Sequence, residues 1–202
     1  MRPQMELTLR ASVLSHLVRR LVLAGYRWRG WRFEVAADLP TRCVIAGAPH
    51  TSNWDFVFFL GATDELGRRA RFMGKRSLFR WPLRRFMFDM GGIPVDRSKG
   101  GNYVDEIVAE FTRSADMALV IAPEGTRGAI TRWRSGFYHI ALEAGVPVVP
   151  AWVDHRTMRG GLGPAIMPSG DFAADLAEIA RFYRSVMPLH PKLAVLYAQA
   201  GI

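Results

Sequence analysis

A single cysteine, Cys43, stands in 202 residues, so no disulfide can close within the chain and a reducing compartment is expected. Cys43 lies in the apolar run Cys43-Val44-Ile45-Ala46, the setting of a buried, inert thiol rather than a nucleophile. No stretch holds the roughly 18 uncharged apolar residues that a membrane-crossing helix requires. Arg19 and Arg20 interrupt the apolar stretch near the N-terminus, so a secretory signal is not expected either. His16, His139, His155 and His190 show no metal-ligand spacing and read as structural. No serine occupies a Gly-x-Ser-x-Gly elbow, so a serine nucleophile of that kind is not expected. Acidic residues are the scarcer charge: 18 Asp and Glu against 27 Lys and Arg give a net +9, and an anionic partner is expected. Glycine-rich and aromatic RNA-binding strings are absent and the basic residues are spread along the chain, so that partner is read as a membrane surface or a phosphate-bearing substrate, not nucleic acid.

Residues 8–24 have a helical period of about 100° per residue. Leu9, Val13, Leu14, Leu17, Val18, Leu21 and Val22 sweep one apolar arc, with Ser12, Ser15, His16 and Arg19 opposite. Tyr26-Arg27-Trp28-Arg29-Gly30-Trp31-Arg32 then interleaves aromatics with arginines, a composition suited to the headgroup region of an anionic phospholipid bilayer. The competing reading packs this helix on the domain's own core and leaves the arginines solvated. Residues 1–32 are therefore expected to be a membrane-associating amphipathic segment on the cytoplasmic face, peripheral or monotopic, and 33–202 a single domain. In 33–202 strand-like runs at 42–48, 70–73, 93–95, 118–122 and 146–153 alternate with helical patterns at 78–90, 102–113, 135–143 and 171–186. The alternation predicts an α/β layered fold, a mostly parallel or mixed sheet flanked by helices. Asn102 is expected to cap its helix, and Pro147 and Pro150 to put their strand at a sheet edge or make it irregular.

His50 and Asp55 stand in the run Pro49-His50-Thr51-Ser52-Asn53-Trp54-Asp55. On one regular helix they would point about 140° apart. With a strand ending at Pro49 and a helix starting near Thr51 or Ser52, Asp55 falls in the first turn and can fold back on His50. Asp55 would then accept from one imidazole nitrogen and fix the tautomer, leaving the other nitrogen to take a proton from an attacking hydroxyl. The same residues also fit a capping box in which Ser52 and Asp55 only close the helix end.

Three further strings follow in order: Gly91-Gly92-Ile93-Pro94-Val95-Asp96-Arg97, then Pro123-Glu124-Gly125-Thr126-Arg127, then Val146-Pro147-Val148-Val149-Pro150. With H-x-x-x-x-D they make an ordered set over residues 50–150, and on it the sequence resembles the glycerolipid acyltransferase superfamily, particularly the lysophosphatidate acyltransferases and their bacterial lysophospholipid relatives. The resemblance implies acyl transfer from acyl-CoA or acyl-carrier protein to a lysophospholipid hydroxyl, 1-acylglycerol-3-phosphate first, without metal or other cofactor. It implies His50 as general base, Asp55 as its orienting partner and Arg97 as the acceptor's phosphate ligand. Glu124, Gly125 and Thr126 would help form the acceptor site, with Arg127 adding positive charge. Lys75 is a further phosphate candidate and Arg134 a secondary acceptor contact. Two positions depart from the family pattern, Pro49 where Asn often precedes the histidine and Ala122 where Phe often precedes the proline. They leave open another acceptor, an aminolipid or a secondary metabolite, and an inactive lipid-binding relative.

Overall fold

The chain is described from a computed structural model covering residues 12–36, 38–95 and 102–202. Its elements run α1 Val13–Trp28, β1 Arg32–Val35, β2 Arg42–Ala48, α2 Trp54–Glu65, β3 Ala70–Lys75, α3 Arg84–Asp89, β4 Gly92–Val95, α4 Asn102–Arg113, β5 Met117–Ile121, α5 Gly136–Ala144, β6 Val148–Asp154, β7 Arg159–Leu162, α6 Phe172–Val186 and α7 Pro191–Gln199. The seven strands form one sheet in the order β1-β7-β6-β2-β5-β3-β4. Every pairing is parallel except the antiparallel β6–β7 pair, so the sheet is mixed and helices flank it, as the alternation predicts.

Strand β2 sits at the centre, and its continuous apolar sequence follows from that position, because a parallel strand covered on both faces has no polar side. Val44, Ala46 and Ala48 point into the larger core, with Phe111 of α4, Phe137 of α5 and Tyr183 of α6. Cys43 and Ile45 point to the other face, with Ala118, Val149 and Leu162. Burial raises the Cys43 thiol to about 11, consistent with an inert core residue.

The prolines do not place β6 at an edge. β6 is the third strand of seven, between β7 and β2. Pro150 pairs with Ala46 on the β2 side. Its carbonyl accepts from Gly163 N at 2.8 Å, so its missing donor also faces β7. It falls in the gap between the β7 ladder, which reaches Ala151↔Leu162, and the isolated bridge Val148↔Ile166, where no partner is needed. Pro82 breaks the helical pattern of 78–90, with a 3-10 turn at Arg76–Phe79 before it and the short helix α3 after it. Helix α4 is described from Asn102 onward, and the residues before it lie outside the described ones.

Helix α1 docks with its polar side inward. Ser15, Leu23 and Tyr26 are its buried residues. Ser12 accepts from Ser15 N, while the Ser15 hydroxyl donates to Asp89 of α3 at 2.6 Å. Arg19 and Arg27 both reach Asp64 of α2, at 2.9 and 3.0 Å. The Tyr26 ring lies directly on Gly61 of α2, where an added Cβ would stand 2.4 Å from it, and its hydroxyl donates to Glu65 at 2.7 Å. The consequence is that Val13, Leu14, Leu17 and Leu21 face outward, 54–87% exposed. Of the arc read from the sequence these four residues face away from the core, Val18 and Val22 are half-buried, and Leu9, with the rest of residues 1–11, lies outside the described residues. The arginine–aromatic segment divides differently: Trp31 and Tyr26 are buried, Trp28 is exposed, and Arg27 is tied to Asp64. Among the described residues, no helix is long and apolar enough to cross a membrane.

Candidate active site

Three adjacent parallel strands, β6, β2 and β5, end on the same side of the sheet, where layered α/β sheets present ligand-contacting residues. Each delivers one polar residue just past its end: His155 after β6, His50 after β2 and Glu124 after β5. A fourth, Lys192, comes from the first turn of α7.

His50 Nδ1 lies 2.8 Å from Asp55 Oδ2. The same oxygen accepts from the backbone N–H groups of Thr51 and Ser52, at 2.9 and 3.0 Å. Capping and pairing with His50, alternatives in the sequence, are here one arrangement, because a carboxylate oxygen has lone pairs for both. Ser52 turns its hydroxyl to Trp54 N instead, at 3.0 Å. Asp55 Oδ1 is 2.5 Å from His155 Nε2. Burial alone pushes the Asp55 carboxyl up, but the bonds from His155, His50, Ser52 and Thr51 outweigh it and hold the group well below the ordinary carboxylate range. With the folded pKa depressed, the unfolded chain binds the proton more readily. The Asp55 carboxylate therefore stabilises the fold above about pH 4, and that contribution is lost as pH falls below it. In Asp55→Asn the acid limb of Tm against pH should flatten between about pH 4 and pH 3, as followed by circular dichroism; an unaltered limb would show that Asp55 is not the group responsible.

Glu124 is 1% exposed. One of its oxygens accepts from the His50 backbone N–H at 2.9 Å and the other pairs with Lys192 Nζ at 2.5 Å. Burial raises its pKa, with the Lys192 ammonium and the His50 N–H working against that rise. Lys192 Nζ also donates to the His50 carbonyl at 2.6 Å and the Thr126 carbonyl at 3.3 Å. One ammonium thus ties the His50 turn to the loop carrying Glu124, and the Glu124 carboxylate is spent on these protein contacts rather than turned outward. Gly125 adopts φ +69°, and the Arg134 side chain lies over it, about 3.0 Å from where a Cβ would stand, so only glycine suits this position. Arg134 N donates to Pro123 O at 3.0 Å, docking the following loop on the same turn. A cavity of about 130 Å³ opens beside Gly125 and Arg134, floored by Met73, Ile121, Phe137 and Ile140.

Residues 32–154 match the acyltransferase family, the greater part of the chain. The chain belongs to that family. It is 28% identical over 143 residues to the 1-acyl-sn-glycerol-3-phosphate acyltransferase alpha of Mus musculus, covering 66% of this chain and 49% of that one. It is 26% identical over 159 residues to the 1-acyl-sn-glycerol-3-phosphate acyltransferase of Escherichia coli K12, covering 69% and 63%. The chain thus spans about half to somewhat under two thirds of the length of these curated relatives. Its fold is that of the 1-acyl-sn-glycerophosphate acyltransferase PlsC from Thermotoga maritima, with a TM-score of 0.62 at 15% identity over 88% of this chain and 81% of that one.

The fold brings His50, Asp55 and Glu124 together. Thr126 and Arg127 are exposed on the same loop, and Lys75 is exposed at the carboxyl end of β3, two strands from β2. Arg97 lies outside the described residues. The sequence reading missed two residues that touch the cluster. His155, read there as structural, bonds Asp55, and Lys192 lies on a helix that reading did not identify. Both fall beyond the family match, which ends at 154. The available signal for α7 was Pro191 ahead of an apolar-periodic stretch.

Proposed function

We propose that this chain is an O-acyltransferase that moves a fatty acyl group from acyl-CoA or acyl-carrier protein to a lysophospholipid hydroxyl, with 1-acylglycerol-3-phosphate as acceptor and phosphatidate as product. The observation carrying this reading is the His50–Asp55 pair. With Nδ1 held on Asp55, Nε2 is the nitrogen left for substrate. It takes the proton of the acceptor hydroxyl as that oxygen bonds to the thioester carbonyl carbon. Collapse of the tetrahedral adduct breaks the carbon–sulfur bond, and the departing thiolate recovers the proton from His50. Asp55, ionised throughout, stabilises the intervening imidazolium. A thioester is already activated, so alignment and this single proton relay suffice, and no cofactor is assigned. Arg97, by its place in the family pattern, binds the acceptor phosphate, with Arg127 and Lys75 adding positive charge. The small loop residues Gly125 and Thr126 border the acceptor, and the apolar cavity beneath Arg134 suits part of an acyl chain.

The outward arc of α1 gives the membrane contact. Trp28 extends it, and the segment around α3 adds Trp81, Leu83 and Phe88, all exposed. We expect each of Leu14→Ser, Leu17→Ser and Leu21→Ser to weaken binding to phosphatidylglycerol vesicles by roughly tenfold, from about 1.5 kcal/mol of lost burial apiece. Melting temperature should not change, because none of the three is buried. Sedimentation with vesicles checks this, and full binding by the triple variant would remove α1 as the contact.

The reaction is tested by thiol release from palmitoyl-CoA and palmitoyl-carrier protein across a panel of lysolipids. Release that requires lysophosphatidate supports the reading as stated. Release with another lysolipid keeps the reaction and changes the acceptor. Silence across the panel would favour a lipid-binding relative without this activity.

A further inference from the structure

We infer that His155 is a positioning residue for the acyl transfer, fixing the plane of the Asp55 carboxylate so that Oδ2 alone serves His50; the inference rests on the catalytic reading of the His50–Asp55 pair. Three donors converge on Oδ2, namely His50 Nδ1, Thr51 N and Ser52 N. Among the described residues, only His155 Nε2 holds Oδ1. Without it the carboxylate is pinned through one oxygen and is free to turn about its own axis, exchanging the two oxygens before His50.

His155 has no nitrogen to offer a substrate. Nε2 is on Asp55, and Nδ1 is sealed from solvent with no hydrogen-bond partner among the described residues. That excludes a second general base and leaves a role exerted through Asp55. The ring is held on its other side by Trp31, edge-on with centroids 5.3 Å apart, and Trp31 is itself buried against Tyr26 and Phe58. The loop carrying His155 is closed locally, since Asp154 accepts from Arg156 N at 2.9 Å and from the Thr157 hydroxyl at 3.0 Å. A rigid ring on a tied loop is what holding a catalytic carboxylate to a fraction of an ångström requires.

The test compares His155→Leu, His155→Asn and His155→Gln with the wild type and His50→Ala in steady-state assays. The glutamine amide nitrogen reaches about where imidazole Nε2 stands, whereas asparagine falls short of it. His155→Leu should lower kcat by about 10- to 100-fold, the range for small misplacements of a reacting group, with acceptor KM within about twofold. His155→Gln should recover most of the loss and His155→Asn should not. Normal kcat in His155→Leu, a defect carried by KM, or glutamine as slow as asparagine would each overturn the inference. If the leucine variant fails to fold, the glutamine–asparagine pair still decides. Activity retained in His50→Ala would instead strike the catalytic reading beneath, while an inactive His50→Ala beside normal His155 variants strikes this inference alone.

Discussion

Replacing His50 by alanine should lower turnover by about 10²- to 10⁴-fold, the range for a general base, and leave the fold in place. The structure separates the two effects. Among the described residues the ring of His50 has one hydrogen bond, to Asp55. The contacts that hold the turn use its backbone, the N–H to Glu124 and the carbonyl to Lys192, and alanine keeps both. Asp55 in turn keeps Thr51, Ser52 and His155 as donors. Thiol-release rates beside thermal melts check the separation. Loss of melting temperature together with activity would mean that the ring is structural.

The second large effect concerns stability. Lys192→Met should destabilise the chain by about 3–5 kcal/mol, as expected when one member of a buried ion pair is removed. Glu124 would remain buried, its side chain fully covered, with the His50 N–H its one remaining hydrogen-bond donor among the described residues. Burial already raises the Glu124 pKa, and without the ammonium it should rise further. A carboxyl raised in the folded state favours folding while protonated and costs stability as pH climbs through its folded pKa. The defect should therefore be large at pH 8 and shrink on acidification towards pH 5. Adding Glu124→Gln should recover part of it, because glutamine keeps an oxygen for the His50 N–H without a charge. Urea denaturation of the single and double variants measures both, and a pH-independent defect would contradict the account.

The core of the fold was legible because burial writes itself into composition. Within β2, residues 43–48 are an uninterrupted run without a polar side chain because it is the central strand, and 102–113 and 171–186 keep a helical period because each buries one face. Edge elements carry less of that pressure. Arg32–Val35 alternates charge with apolar residues and Arg159–Leu162 begins with two glycines after its arginine, so neither announced itself as a strand. Of the two outcomes the prolines allowed at β6, an edge position or an irregular strand, the strand takes the second: the missing donor of Pro150 falls in a local gap of an interior strand, which depends on where the chain near Gly163 departs. At the site, His50, Asp55 and Glu124 were legible from short strings that hold chemistry within a few residues. His155 is 100 positions from Asp55, and Lys192 is 68 from Glu124. Each stands alone in its own segment. Only the convergence of β6, β2 and β5, with Lys192 of α7 reaching Glu124 and the His50 carbonyl, gives those two residues partners.

The most direct measurement uses palmitoyl-CoA labelled in its acyl group, followed through protein and lipid fractions. With wild-type protein and no acceptor, the account predicts no covalent label on the chain. With lysophosphatidate added, label should pass to phosphatidate as thiol is released in equal amount, and in His50→Ala it should stay on the thioester. Label accumulating on the protein, or reaching lipid at the wild-type rate without His50, would contradict direct transfer driven by the His50–Asp55 pair.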